Sequence, residues 1–277
     1  DERNDARSRA DLRIAALGSG SDYSAFLQHS GVPSLDLRFN GLDSSDGVYH
    51  SIYDDYYHFT KFLDTDFAYG RALAQVAGST MIRLADADVL PFEFTDLADT
   101  VQTYVKELET LLKDRQDEVR ERNKEIDEGV FAATNDPRRP LAAPKTEPVP
   151  PALNFAPLQN AANALTQAAA RYHRAAEAAR PGIASRAATL QAVNARLMQA
   201  ERQLTDDAGL PKRPWYRHLL YAPGYYTGYA VKTMPGVREA IEQKAYAEAD
   251  GEIGRVARAL DREAALLDAV ASLLSSP

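Results

Sequence analysis

Cysteine is absent from the 277 residues. That excludes disulfide staples and thiolate metal sites. It leaves the compartment open, because an oxidising compartment permits disulfides without demanding them. Long apolar runs are also missing: no stretch approaches the ~18 residues that a membrane-spanning helix needs. Positive charge is in deficit, with 32 Lys and Arg against 40 Asp and Glu and a formal net charge of -8. Such a balance argues against a nucleic-acid partner, whose phosphates require a basic face, and against an anionic membrane surface. The charged opening Asp1-Glu2-Arg3-Asn4-Asp5 has no apolar core behind it, as a signal peptide would. It reads as a boundary inside a longer chain. What is present suffices for a core: 45% of residues are hydrophobic and 26% charged, ordinary proportions for a globular chain. The length allows one large or two modest domains.

Two styles of sequence meet near residue 90. Before it, short apolar runs alternate with Gly- and Asp-rich loops. Leu12 to Leu17 reads as a buried strand ending at glycine, Gly18-Ser19-Gly20-Ser21 as a loop, and Ser21 as the N-cap of a short helix Asp22 to His29 that stops at Gly31. Val32 to Phe39 alternates and reads as a second strand; Asn40 to Gly47 is a polar loop. Lys61 to Ala87 reads as one amphipathic helix. Strand, helix, strand, helix is the pattern of an α/β sheet. Two strands cannot stand alone, so most of the sheet is expected from elsewhere.

After Pro91 the sequence turns to Ala, Leu, Glu and Arg. A helix is expected from Thr95 or Asp96 to about Ile126, its charged half from Lys113 solvated or frayed. Repeated prolines make Asp136 to Pro157 an extended connector. Further helices are expected over Leu158 to Arg180, Ile183 to Thr205, Met234 to Tyr246 and Glu252 to Leu274, with a break at Pro181-Gly182 and an irregular aromatic stretch from Leu210 to Val231. The fold class is therefore an α/β sheet remnant followed by a mainly α bundle, helix-dominated overall.

The chemistry readable from the residues alone is limited. His50 follows a strand and loop, where sites of α/β sheets gather, and a neutral imidazole is a good zinc ligand. Its competing role is packing among Tyr49, Tyr53 and Tyr57. One histidine cannot hold a catalytic zinc, which needs about three protein ligands. Asp54, Asp55, Asp64 and Asp66 suit the positive start of helices better than a metal. The Gly-Ser-Gly-Ser loop lacks the lysine and spacing of a phosphate cradle. The aromatics Trp215, Tyr216, Tyr221, Tyr225, Tyr226 and Tyr229 are dense enough to suggest an interface or pocket wall.

Several segments, in order, resemble a known family. Leu17-Gly18-Ser19-Gly20-Ser21-Asp22-Tyr23, Gly31-Val32-Pro33-Ser34 and Tyr49-His50-Ser51-Ile52-Tyr53-Asp54 are similar to the last third of the peptidase domain of the glutamate carboxypeptidase II and transferrin receptor family. Gly209-Leu210-Pro211, Arg213-Pro214-Trp215-Tyr216-Arg217-His218, Tyr221-Ala222-Pro223 and Pro235-Gly236-Val237 resemble its helical dimerisation domain. The resemblance implies a boundary at residues 90–91, with the end of a zinc peptidase domain over 1–90 and a dimerisation domain over 91–277. It implies a two-zinc parent enzyme acting on short peptides. His50 matches one zinc ligand, the other ligands and the catalytic glutamate lying upstream of this chain, so this part alone is not expected to hold zinc. Tyr49 matches a catalytic residue that hydrogen-bonds the bound substrate. Ser19, Gly20 and Ser21 match a pocket-lining loop, though the animal enzyme has asparagine where Ser21 stands. Arg38 matches one arginine of a patch that reads an acidic side chain, but Asp36 replaces another. Tyr229 matches one member of a lysine-tyrosine pair, with Gly228 in place of the lysine. Both departures remove positive charge and put glutamate specificity in question.

The expected partners are a second copy, giving a homodimer through the bundle, and a peptide substrate in the intact enzyme. The family is often secreted, periplasmic or membrane-anchored with its catalytic part outside the cytoplasm. The other reading is a receptor-like or structural dimerisation module without catalysis; retention of His50 favours the enzyme.

Overall fold

The computed structural model describes residues 7, 14–39, 48–136, 138, 142 and 144–276. Leu12 and Arg13 of the first expected strand, the Asn40–Gly47 loop, and Pro137 and Pro140 of the connector lie outside them. Helix α1 is Ala68–Ala85, α2 is Thr95–Asp127, α3 is Ala156–Ala179, α4 is Ala187–Leu197, α5 is Ala200–Gln203, α6 is Pro235–Glu242 and α7 is Tyr246–Ser275. Strands β1 (Tyr221–Pro223) and β2 (Val231–Thr233) pair antiparallel, with Ala222 opposite Lys232. The protein is helix-dominated, as its composition indicates.

The body is built on apolar stripes. In α2 the buried residues are Ala98, Val101, Val105, Leu108 and Leu112, a three-four spacing that keeps one face inward. Beyond Leu112 the same helix continues with no buried residue. That half is solvated and helical, not frayed. Charge pairs one turn apart support it: Lys113 with Asp117, Arg115 with Glu118, and Arg120 with Asp117. The connector folds back along it. Asn123 Nδ2 donates to Glu147 O at 2.7 Å, and Glu147 N–H returns a bond to Asn123 Oδ1 at 2.9 Å.

Helices α3 and α7 form the most extensive contact in the chain. Alanines at 161, 162, 168 and 169 of α3 are buried, as are Ala249, Ala257 and Ala259 of α7. Small side chains let the two axes approach closely and bring Leu158, Leu165, Leu260 and Leu267 into register as the core. Helices α4, α5 and α6 also pack on α7. The long helix expected over Ile183 to Thr205 is divided into a 3₁₀ turn, α4 and α5.

The first ninety residues are different. Apart from Leu27, every buried apolar residue among those described lies between Phe94 and Leu274. Most of the large apolar side chains left exposed lie between Ile14 and Leu84. Residues 14–18 and 31–39 have no regular secondary structure and belong to no ladder among the described residues, so the expected strands are not realised as sheet. The physical reason is non-local: alternating residues shape a pleated face, but a ladder also needs neighbouring strands to accept its backbone bonds. The expected helix over Lys61 to Ala87 starts only at Ala68. Asp64 is buried and its carboxylate accepts Tyr69 N–H at 3.2 Å and Gly70 N–H at 2.7 Å, fixing the helix start there. Asp55 accepts His58 N–H and Asp66 accepts Ala68 N–H, so these acids serve helix ends.

Contacts at Asn194 and around the 24–31 segment join this region to the body. Asn194 of α4 donates to Asp88 O at 2.7 Å and accepts Leu90 N–H at 3.0 Å. The short π-type helix Ser24–His29 stands against the 202–218 segment, where His29 stacks on Trp215 at 4.9 Å and its Nδ1 meets Trp215 O at 2.8 Å. Ser21 closes the turn before that helix with its carbonyl, which accepts Ser24 N–H at 3.1 Å, whereas the N-cap position falls on Tyr23 and not on Ser21 as expected. Gly31 ends the segment at φ +61, where an added Cβ would meet Arg202 Cα at 3.0 Å and Thr205 Cγ2 at 2.9 Å.

Candidate functional site

The Gly18–Ser21 loop and Tyr229 come from opposite ends of the chain and meet. Ser19 N–H donates to Tyr229 O at 3.2 Å. A Cβ on Gly18 would lie 1.9 Å from that same oxygen, and one on Gly20 would lie 2.8 Å from the Tyr229 ring. The two glycines are therefore required by the approach of the tyrosine. Tyr229 lies just before β2, on the turn of the β1–β2 hairpin, and its side chain is exposed. Ser21 is exposed at the loop's far end.

Arg38 reaches the same neighbourhood indirectly. Tyr23 Oη donates to Ser19 O at 3.3 Å. Burial pushes the Tyr23 phenol up; Asp36 adds to the rise and Arg38 opposes it, so both charges lie close enough to act on the ring. Arg38 itself is exposed, as is Asp36.

Tyr49 and His50 stand apart. Their rings stack at 3.8 Å and both side chains are exposed. His50 has φ +62, a left-handed backbone uncommon outside glycine that holds the ring at the tip of a turn. Among the described residues no hydrogen bond or ring contact joins this pair to the Ser19–Tyr229 contact. Nor does any group of three or more His, Asp or Glu among the described residues gather to hold a metal ion. His50 could supply one ligand; the described residues by themselves do not fit a zinc centre.

Composition and spacing missed two clusters. Arg213 Nη2 pairs with Glu239 Oε2 at 2.5 Å, both side chains mostly buried. Glu239 Oε1 accepts Tyr225 N–H at 2.6 Å, and Arg213 Nη1 donates to Pro223 O. The guanidinium also lies over the Tyr216 ring at 5.6 Å and the Tyr225 ring at 5.9 Å. The pair thus holds the hairpin that carries Tyr229. The second cluster is Gln28, whose side chain is wholly buried beneath the glycine loop. The density of aromatics around Arg213 hinted at the first; a single glutamine carries no signal for the second.

Comparison with known proteins agrees with this architecture. Residues 153–268 match the transferrin receptor-like dimerisation domain family. The chain is 33% identical over 257 residues to a probable glutamate carboxypeptidase, LAMP1, of Arabidopsis thaliana, covering 90% of this chain and 31% of that protein. It is 29% identical over 268 residues to a probable glutamate carboxypeptidase of Arthroderma benhamiae, covering 95% and 31%. It is 25% identical over 276 residues to aminopeptidase NAALADL1 of Rattus norvegicus, covering 94% and 32%. The chain spans about a third of the length of these relatives. A helix-dominated body, a dimerisation-domain match within it and similarity along nine tenths of the sequence place the chain with the glutamate carboxypeptidase and transferrin receptor-like proteins.

Proposed function

We propose that the chain is the pocket-forming and dimerising part of a two-zinc exopeptidase acting on short peptides. Residues 1–90 are the end of its peptidase domain and residues 91–277 its dimerisation domain. His50 contributes one zinc ligand, and the remaining ligands belong to the parts of the relatives' length that this chain does not cover. Ser19, Gly20, Ser21, Arg38 and Tyr229 face the substrate, and Tyr49 donates a hydrogen bond to the oxyanion that forms at the scissile carbonyl. The observation that carries the reading is the contact between the glycine loop and Tyr229, which joins a peptidase-side loop to the helical body. The relatives' names as carboxypeptidases and an aminopeptidase support the reaction class. Asp36 and Gly228, where the resemblance would put cations, point to substrates with a neutral terminal side chain.

The test is made on the full-length protein that contains this chain. It should hydrolyse dipeptides with neutral C-terminal residues faster than those ending in glutamate. His50→Ala should lower both zinc content and turnover. Unchanged zinc and turnover in that variant would overturn the reading. The 277-residue chain should scatter light as a dimer. The second reading, a dimerisation module without catalysis, is favoured by the domain match alone; a dimeric full-length protein without turnover on any peptide would establish it.

A further inference from the structure

We infer that Gln28 is the positioning residue of the candidate pocket, clamping the Gly18–Ser21 loop to the Arg217–His218 backbone so that the dimerisation body sets the loop's conformation. The inference rests on the reading of that loop as a pocket wall.

One residue holds backbone groups of two segments far apart in sequence. The side-chain Nε2 of Gln28 donates to Leu17 O at 3.2 Å and to Gly18 O. Its own carbonyl accepts Arg217 N–H at 2.7 Å and His218 N–H at 3.1 Å. The amide orientation follows from its partners. Two carbonyl oxygens face one end of the side chain, so that end must be the donor; a flipped amide would set oxygen against oxygen. Oε1 is buried without a partner among the described residues, which means the glutamine is held for its two N–H donors.

On its other side the loop is pressed against Tyr229. The Gly18 position leaves no room for a Cβ, and Ser19 N–H is taken by Tyr229 O. The loop therefore lies between the Gln28 amide and the hairpin, with Ser19, Gly20 and Ser21 displayed at its turn. The segment beneath Gln28 is itself fixed in the body. Asp206 N–H donates to Arg217 O, and Leu219 N–H to Leu204 O, each at 2.9 Å. His29 on Trp215 holds the same helix one residue further along. A shift of the 215–219 segment is thereby passed to the pocket loop through one residue, whose main-chain carbonyl holds the segment and whose side-chain amide holds the loop.

Hydrogen exchange on the 277-residue chain tests this with Gln28→Leu and Gln28→Glu. Leucine keeps the bulk and removes both donors. An ionised glutamate has no donor, whereas a protonated one has one. Near neutral pH the Ser19, Arg217 and His218 amides should exchange about tenfold faster in both variants. Amides of α3 and α7 should be unchanged. Relative to wild type at the same pH, protection should partly return at about pH 5 in Gln28→Glu and not in Gln28→Leu, because burial beside two carbonyls favours the protonated acid. Wild-type protection of the loop in both variants, loss of protection spread through α3 and α7, or identical pH behaviour of the two variants would overturn the inference. None of these readouts uses turnover or zinc, so a failure of the peptidase reading would leave the pattern intact and be recognised separately.

Discussion

His218 is wholly buried, and its Nε2 lies 2.7 Å from Glu201 Oε1. Its other ring nitrogen, Nδ1, accepts the backbone N–H groups of Leu220 and Tyr221 at 3.2 Å each. Because Nδ1 accepts, the ring hydrogen sits on Nε2 and is donated to Glu201. The imidazole thereby turns the chain into β1 and ties it to α5. Removing it in His218→Phe leaves two backbone donors and a carboxylate oxygen unpaired. We expect a loss of about 3 kcal/mol in urea unfolding at neutral pH. A loss below about 1 kcal/mol would contradict the assigned bonds.

Glu263 of α7 gives a stability that depends on pH in the opposite sense to most carboxylates. It is fully buried, and neither carboxylate oxygen has a partner among the described residues. Burial, aided by the charge of Glu201, pushes its carboxyl up from 4.5 to about 8. The folded chain keeps this proton where the unfolded chain has released it. The contribution is full below the unfolded value of 4.5, declines as pH rises, and is gone once pH has passed about 8. Its size is on the order of 5 kcal/mol. Glu263→Leu should remove this slope: the variant should gain on wild type between about pH 5 and pH 8.5 in paired urea titrations. Parallel curves for the two proteins would refute the assignment.

Arg213 and Glu239 hold the hairpin bearing Tyr229. Breaking a mostly buried pair by removing one partner costs roughly 3–5 kcal/mol, because the other charge is left uncompensated. Glu239→Leu also orphans the Tyr225 N–H. It should lower the melting temperature and expose the Tyr225–Tyr229 turn to limited proteolysis. A turn as resistant as wild type would show that other contacts hold it.

For Tyr49 the expected result in the full-length protein is kinetic. Tyr49→Phe keeps the stack on His50 and removes the hydroxyl. Loss of one oxyanion donor lowers kcat by about 10²-fold, with KM little changed, since the bond is made chiefly in the transition state. Unchanged kcat would reduce Tyr49 to aromatic packing.

Much of the helical body could be read before its structure. The helix expected from Thr95 or Asp96 to about Ile126, the helix over Leu158 to Arg180, the break at Pro181-Gly182 and the stop at Gly31 all rest on short-range rules, and all appear. Pairings between distant segments were not readable. Alternation at Val32 to Phe39 describes two faces of a strand and says nothing about its neighbours. The start of α1 was legible in principle, since Asp64-Thr65-Asp66 has the side chains that close turns onto backbone N–H groups. Of the candidate site, the resemblance supplied Ser19, Gly20 and Tyr229, which the fold brings together, and Tyr49 and His50, which it leaves separate. Gln28 was invisible because its role depends on burial and on four backbone partners that no local pattern reveals.

Helix α7 has one more consequence, for the time course of synthesis. It follows α3, α4, α5 and α6 in the sequence, and all four pack on it. A ribosome delivers the N-terminal segments first, so those helices wait with their alanine and leucine faces uncovered until the 30 residues of α7 emerge. Closure of this core therefore waits on the synthesis of α7. A premature stop within α7 should do far more damage to yield than the same number of residues lost from the solvated end of α2.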